Sequence, residues 1–172
     1  TPIVNLVQNE IKSITFVIPG MPAFSGGHTS ILRLGTELSK RGYDVGYVSF
    51  APQNIEDMKK NAEINLSNYK GKILGDDITK VKSDIVIATS WESVYYSRKM
   101  SGYKMYFIQD YEPYFNLYGE SYIMAQKSYE VGYHMVSLGK WNKHMIEKEC
   151  RINSELDYIT FPYEGKEYFA QE

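Results

Sequence analysis

Three short stretches carry residues able to do chemistry. The first is Gly26-Gly27-His28. Two glycines without a Cβ let a backbone come close to a ligand and reach positive φ. An imidazole that titrates near neutrality suits a general base acting on a hydroxyl. The second is Trp91-Glu92, a stacking face beside a carboxylate that can accept from hydroxyls. The third is Asp110-Tyr111-Glu112, two carboxylates flanking a phenol. Either acid can take a proton from a hydroxyl or hold polyol hydroxyls. Asp110 is the favoured proton acceptor because it lies nearer a strand. Each stretch also has a bland reading: a structural turn for the glycines, a local hydrogen bond for His28, core packing for Trp91 and loop capping for the acids.

The elements around them explain why they belong together. Residues 14–18 (ITFVI) are short, apolar and β-branched, and Pro19-Gly20 ends them, as in a strand buried on both faces. Ile31, Leu34 and Leu38 recur at steps of three and four, which predicts a helix over about 28–41 with Gly42 as its C-cap. Val45, Tyr47, Val48 and Phe50 form the next strand. A short helix capped by Asn54 is expected over 54–61, and short strands near 64–66 and 72–74, with a turn at Asp76-Asp77. Further strands are expected at 84–89, 103–108, 134–137 and 156–160. Helices are expected from Ser90 to about Lys99, over 120–129 and over 140–149, with a tyrosine-rich loop at 114–118. The fold class is therefore α/β, a Rossmann-like three-layer domain with a mostly parallel sheet. Parallel strands share their carboxyl ends, so all three stretches should reach one edge of the sheet, where such folds bind ligands. The glycine corner is neither the dinucleotide fingerprint nor a P-loop.

Composition narrows the classes. The 172 residues fit one domain able to bury a sizeable core. They are 43% hydrophobic and 23% charged, and the formal net charge is −2 with no basic block, which argues against a nucleic-acid partner. The single cysteine, Cys150, excludes an internal disulfide framework and fits a reducing compartment. No apolar run approaches the ~20 residues of a membrane span, and no signal-peptide pattern opens the chain. No His/Cys/Asp spacing suggests a zinc site, so no metal is expected; His134 and His144 read as structural or surface residues. Sixteen tyrosines suit sugars or a wet domain interface, or reflect ordinary half-buried positions.

These residues resemble the N-terminal domain of a GT-B glycosyltransferase, and in particular rhamnosyltransferase-like enzymes of bacterial cell-surface polysaccharide synthesis. The resemblance rests on FVIPGMPAFSGGHTSILRLGTELSKRGYDV, ATSWESVYY, YFIQDYEPYF and LGKWNKHMI. It implies an acceptor-side domain over 13–163, an N-terminal arm at 1–12 and the start of an interdomain linker at 164–172. It implies transfer of a sugar, rhamnose being one candidate, from a nucleotide-sugar donor to a growing glycan, without a metal cofactor. Gly26 and Gly27 would approach the donor phosphates. His28 and Asp110 would be catalytic, and Trp91, Glu92, Tyr111 and Glu112 would hold the acceptor. The partner would be a C-terminal donor-binding domain, the setting cytoplasmic or at the inner face of the membrane, and the fragment inactive alone. The chain opens with Thr, as a fragment of a longer protein would. The alternatives are a non-catalytic carbohydrate- or nucleotide-binding module and a small-molecule-binding α/β domain of flavodoxin-like order.

Overall fold

The computed structural model describes residues 2–6, 10–115 and 119–160. The expected linker at 164–172, the segment leaving the last strand and the middle of the tyrosine-rich loop lie outside those residues. Among the described residues, seven strands form one all-parallel sheet: β1 (Ser13–Ile18), β2 (Asp44–Ser49), β3 (Lys72–Ile73), β4 (Ile85–Ala88), β5 (Tyr103–Ile108), β6 (His134–Leu138) and β7 (Leu156–Ile159). Their order is β3-β2-β1-β4-β5-β6-β7. Among the described residues, five α-helices connect them: α1 (Gly26–Lys40), α2 (Ile55–Asn65), α3 (Trp91–Ser97), α4 (Glu120–Ser128) and α5 (Lys140–Glu149). The chain is thus a Rossmann-like α/β domain of three layers.

Alternation along the strands divides the core. Ile14, Phe16 and Ile18 of β1 and Val45 and Tyr47 of β2 face Ile31, Leu32, Met58 and Ala62 of α1 and α2. Ala88, Tyr106, Ile108 and Met135 meet Val94, Tyr129, Met145 and Ile146 on the other side. Each buried Val, Leu, Ile, Phe or Met among them contributes roughly 1.5–3 kcal/mol of burial. Gly35, in the interior of α1, has a packing reason. A Cβ there would stand 2.0 Å from the Tyr47 hydroxyl, whose ring is fully buried. On the α1 side, the sheet beyond β4 forms an apolar groove of about 320 Å³ along Ile85, Ile87, Met105, Val136 and Ile159.

The strand expected near 64–66 does not form. The helix capped by Asn54 instead continues to Asn65, because Met58 and Ala62 keep the buried i, i+4 face. Asn61 and Asn65, on successive turns, then bond the loop after β1. Residues 2–6 of the arm form no helix. Asn5 both donates to and accepts from the Lys104 backbone, at 2.9 and 2.8 Å, and Ile3 N–H donates to the Val131 carbonyl. No helix among the described residues is long and apolar enough to cross a membrane.

Candidate functional site

Strand order reverses direction between β1 and β4. From β1 the chain runs outward through β2 to β3, and from β4 it runs the other way through β5 to β7. The loops that leave β1 and β4 therefore part to opposite faces and open a crevice at their carboxyl ends. Thr89 ties the two strand ends together, its hydroxyl donating to the Val17 carbonyl at 2.7 Å.

One wall of the crevice is the segment between β1 and α1, held by neutral polar groups. Gln53 pairs with the Met21 backbone in both directions, at 2.7 and 3.0 Å. Asn61 donates to the Met21 carbonyl at 2.9 Å. Asn65 donates to the Pro22 carbonyl at 2.7 Å and accepts from Ser25 N–H at 2.9 Å. Ser25 is the N-cap of α1, its Oγ accepting from His28 N–H. The His28 ring lies between Ser25 Oγ, 2.8 Å from Nδ1, and the Gly20 carbonyl, 2.9 Å from Nε2. A carbonyl only accepts, so Nε2 carries the proton and Nδ1 accepts from the serine hydroxyl. Burial lowers the His28 pKa, which keeps the ring neutral.

The glycine step differs from expectation in one respect. Gly26 and Gly27 take helical backbone in the first turn of α1; the left-handed positions are Gly20 (φ 90°) and Phe24 (φ 55°). A Cβ at Gly26 would meet nothing within 4 Å, and one at Gly27 would only touch the Gln109 side chain at 3.6 Å. Internal packing therefore does not require either glycine, and the helix start stands open with its N–H groups outward. Phe24, a non-glycine residue in the left-handed region, is 89% exposed beside it.

The other wall is built from phenols and one carboxyl. After β5 the chain turns through a short 3₁₀ segment, Glu112–Phe115. This turn swings Glu112 back under the start of α3. Glu112 Oε2 accepts from Trp91 N–H at 3.2 Å and Oε1 accepts from the Tyr106 hydroxyl at 2.7 Å. Its own N–H donates to the Tyr129 hydroxyl at 3.2 Å. Tyr106, Tyr129 and Tyr111 stack in series, with centroids 5.6 and 5.7 Å apart. Burial first, and the nearby Glu92 and Asp110 charges after it, push the Glu112 carboxyl up to about 7, against the pull of its two hydrogen bonds. Gln109 bridges the walls: its side chain donates to the Gly27 carbonyl at 3.0 Å, and its own carbonyl accepts from Asn142 of α5 at 2.7 Å.

The three predicted stretches thus meet at one edge, through Gln109–Gly27 on one side and Trp91–Glu112 on the other. Individual residues change roles. Asp110 is exposed at the rim, whereas Glu112 is the acid drawn toward the sheet. The sequence favours Asp110 as the acid nearer a strand, but β5 ends at Ile108 and the chain then turns Glu112 back. Tyr111 is 2% exposed and stacked on Tyr129, so it belongs to the core and not to an acceptor surface. His28 has both ring nitrogens engaged, which leaves no lone pair for a base and makes it a residue that fixes the loop. Trp91 and Glu92 are half-buried in the first turn of α3, the indole set edge-on against Tyr95 at 6.1 Å. Sequence reasoning missed Gln53, Asn61, Asn65, Phe24 and Gln109. Amides four residues apart on a helix were the available signal for Asn61 and Asn65; the others depend on tertiary placement.

Fold and edge together define a Rossmann-like α/β domain with a switch-point crevice lined by an exposed helix start and a half-buried acid. No model of a known family matches the chain, and no curated protein matches it either.

Proposed function

We propose that this chain is the acceptor-side domain of a two-domain glycosyltransferase that moves a sugar from a nucleotide-sugar donor to a glycan. The observation that carries this reading is the pairing at the switch point. A largely buried carboxyl, Glu112, is pushed up to about 7, and it lies across Gln109 from a helix start that two glycines leave uncovered. An acid poised near neutrality suits proton removal from an acceptor hydroxyl. An exposed helix N-terminus suits the charge that develops on a departing diphosphate. The likeness of the QDYEPYF and SGGH segments to GT-B acceptor domains supports the same reading.

In this reading Glu112 is the proton acceptor, and Trp91 N–H and the Tyr106 hydroxyl orient it. Asp110 and Glu92 hold acceptor hydroxyls from the rim, while Trp91 and Phe24 offer ring faces to a sugar. Gly26 and Gly27 let the donor phosphates approach the α1 backbone, and His28 positions that loop. A C-terminal donor-binding domain completes the groove, the donor is substrate and not cofactor, and the reaction takes place in the cytoplasm at or near the membrane's inner face. Nuclear magnetic resonance titration of the 172-residue chain with nucleotide diphosphate sugars tests this. Weak or no binding is expected from half a groove. Submicromolar binding to this chain alone would favour a self-contained binding module and overturn the split-site reading.

A further inference from the structure

We propose a divalent transition-metal site at the opposite edge of the sheet, formed by His134, Glu155 and Asp157. Pairing of β6 with β7 creates it. In that register Val136 lies beside Asp157, and Met135 N–H donates to the Glu155 carbonyl at 2.9 Å. His134 and Asp157 therefore share one face at the amino end of the two strands, with Glu155 at the entry to β7. The ligand atoms of the three side chains all lie within 4.8 Å of one another. His134 Nε2 stands 3.1 Å from Asp157 Oδ2 and 3.3 Å from Glu155 Oε2. Donors held about 2.0–2.2 Å from a zinc ion stand roughly 3.0–3.6 Å apart at octahedral to tetrahedral angles. The imidazole thus already has the spacing that one shared ion needs.

The support around the histidine is the second observation. Tyr103 of β5 places its hydroxyl 2.9 Å from His134 Nδ1, and its ring meets the imidazole edge-on at 5.9 Å. A metal-ligating histidine ordinarily has its other nitrogen fixed in this way. With no ion, the neutral ring carries its proton on Nε2, donates it toward the carboxylates and accepts from Tyr103 at Nδ1. With an ion on Nε2, the proton sits on Nδ1 and the Tyr103 oxygen accepts it. The hydroxyl serves both states, so the ring need not turn. Both carboxylates are mostly exposed, with side chains 74% and 66% accessible, which leaves room for water in the remaining coordination positions. One nitrogen and two carboxylate oxygens suit zinc and its first-row neighbours better than calcium. The site stands at the amino edge, away from the crevice, and takes no part in the proposed sugar transfer.

The test is calorimetric titration of the metal-free, tag-free 172-residue chain with zinc. One ion per chain is expected, with a Kd below about 100 μM. His134→Ala and Asp157→Asn should each weaken binding at least about tenfold, and Tyr103→Phe by a smaller factor. His144→Ala should leave it unchanged. Should His134→Ala fail to fold, Asp157→Asn and Glu155→Gln change only exposed carboxylates and carry the comparison. No saturable binding up to about 1 mM zinc, or binding that the β6–β7 variants leave intact, overturns the site.

Discussion

The two walls of the switch-point crevice are built from opposite kinds of side chain. On the β1–α1 side, Gln53, Asn61, Asn65 and a neutral His28 hold the loop with uncharged hydrogen bonds. On the β5–α3 side, Glu112 sits among the hydroxyls of Tyr106 and Tyr129 and carries a carboxyl that gains or loses its charge near pH 7. The first wall is held by uncharged groups, with burial favouring the neutral form of His28; the second is poised to exchange a proton. A site that must hold one group still while another ionises needs both kinds of wall, and their junction at Gln109 keeps them in register.

The strongest challenge to that contrast is a charge-removing change on the second wall. Under the proposed function, a chain joined to its donor-binding domain should lose about 10²–10⁴-fold in turnover on Glu112→Gln, while Asp110→Asn should cost less than about tenfold. The opposite ranking in steady-state assays would return the proton to the rim. The next effect is on stability. The Glu112 pKa is raised in the folded state from 4.5 to about 7, so the unfolded chain releases this proton first as pH rises. Folding stability should therefore fall between about pH 4.5 and 7, by about 3 kcal/mol relative to Glu112→Gln. Urea melts of both proteins across that range would show it. On the first wall, Asn65→Ala removes the bonds to the Pro22 carbonyl and Ser25 N–H and should cost about 1–2 kcal/mol, equally at pH 5 and pH 8. A pH-dependent loss there would erase the distinction between the walls. Smallest is Gly26→Ala. Its Cβ meets nothing within 4 Å, so thermal melts should show a gain of up to about 1 kcal/mol, while the proposed sugar transfer should slow because a methyl group would hold the donor phosphates off.

The fold was legible because its signals are local. Strand β5 and helix α5 follow the sequence reading at both ends, since an apolar run bounded by turn residues and an amphipathic stretch need no tertiary information. The glycine after α1, Gly42, does take positive φ. What stayed hidden depends on where segments meet. The choice between Asp110 and Glu112 turns on a 3₁₀ segment that sequence periodicity does not announce. Part of the tyrosine richness proved to be core: Tyr47, Tyr106, Tyr111, Tyr129 and Tyr133 are all buried, and the hydroxyls of Tyr47, Tyr106, Tyr129 and Tyr133 reach backbone or side-chain partners. His134 and Asp157 lie 23 residues apart, so only strand pairing could bring them together.

The direct test of the central claim is the titration of Glu112 itself, followed through the side-chain carboxyl carbon by nuclear magnetic resonance on selectively labelled protein. A midpoint near 7 for this one glutamate is the predicted result. A midpoint near the ordinary glutamate value of about 4.3 would mean that the crevice holds a plain solvated acid, and it would contradict the account.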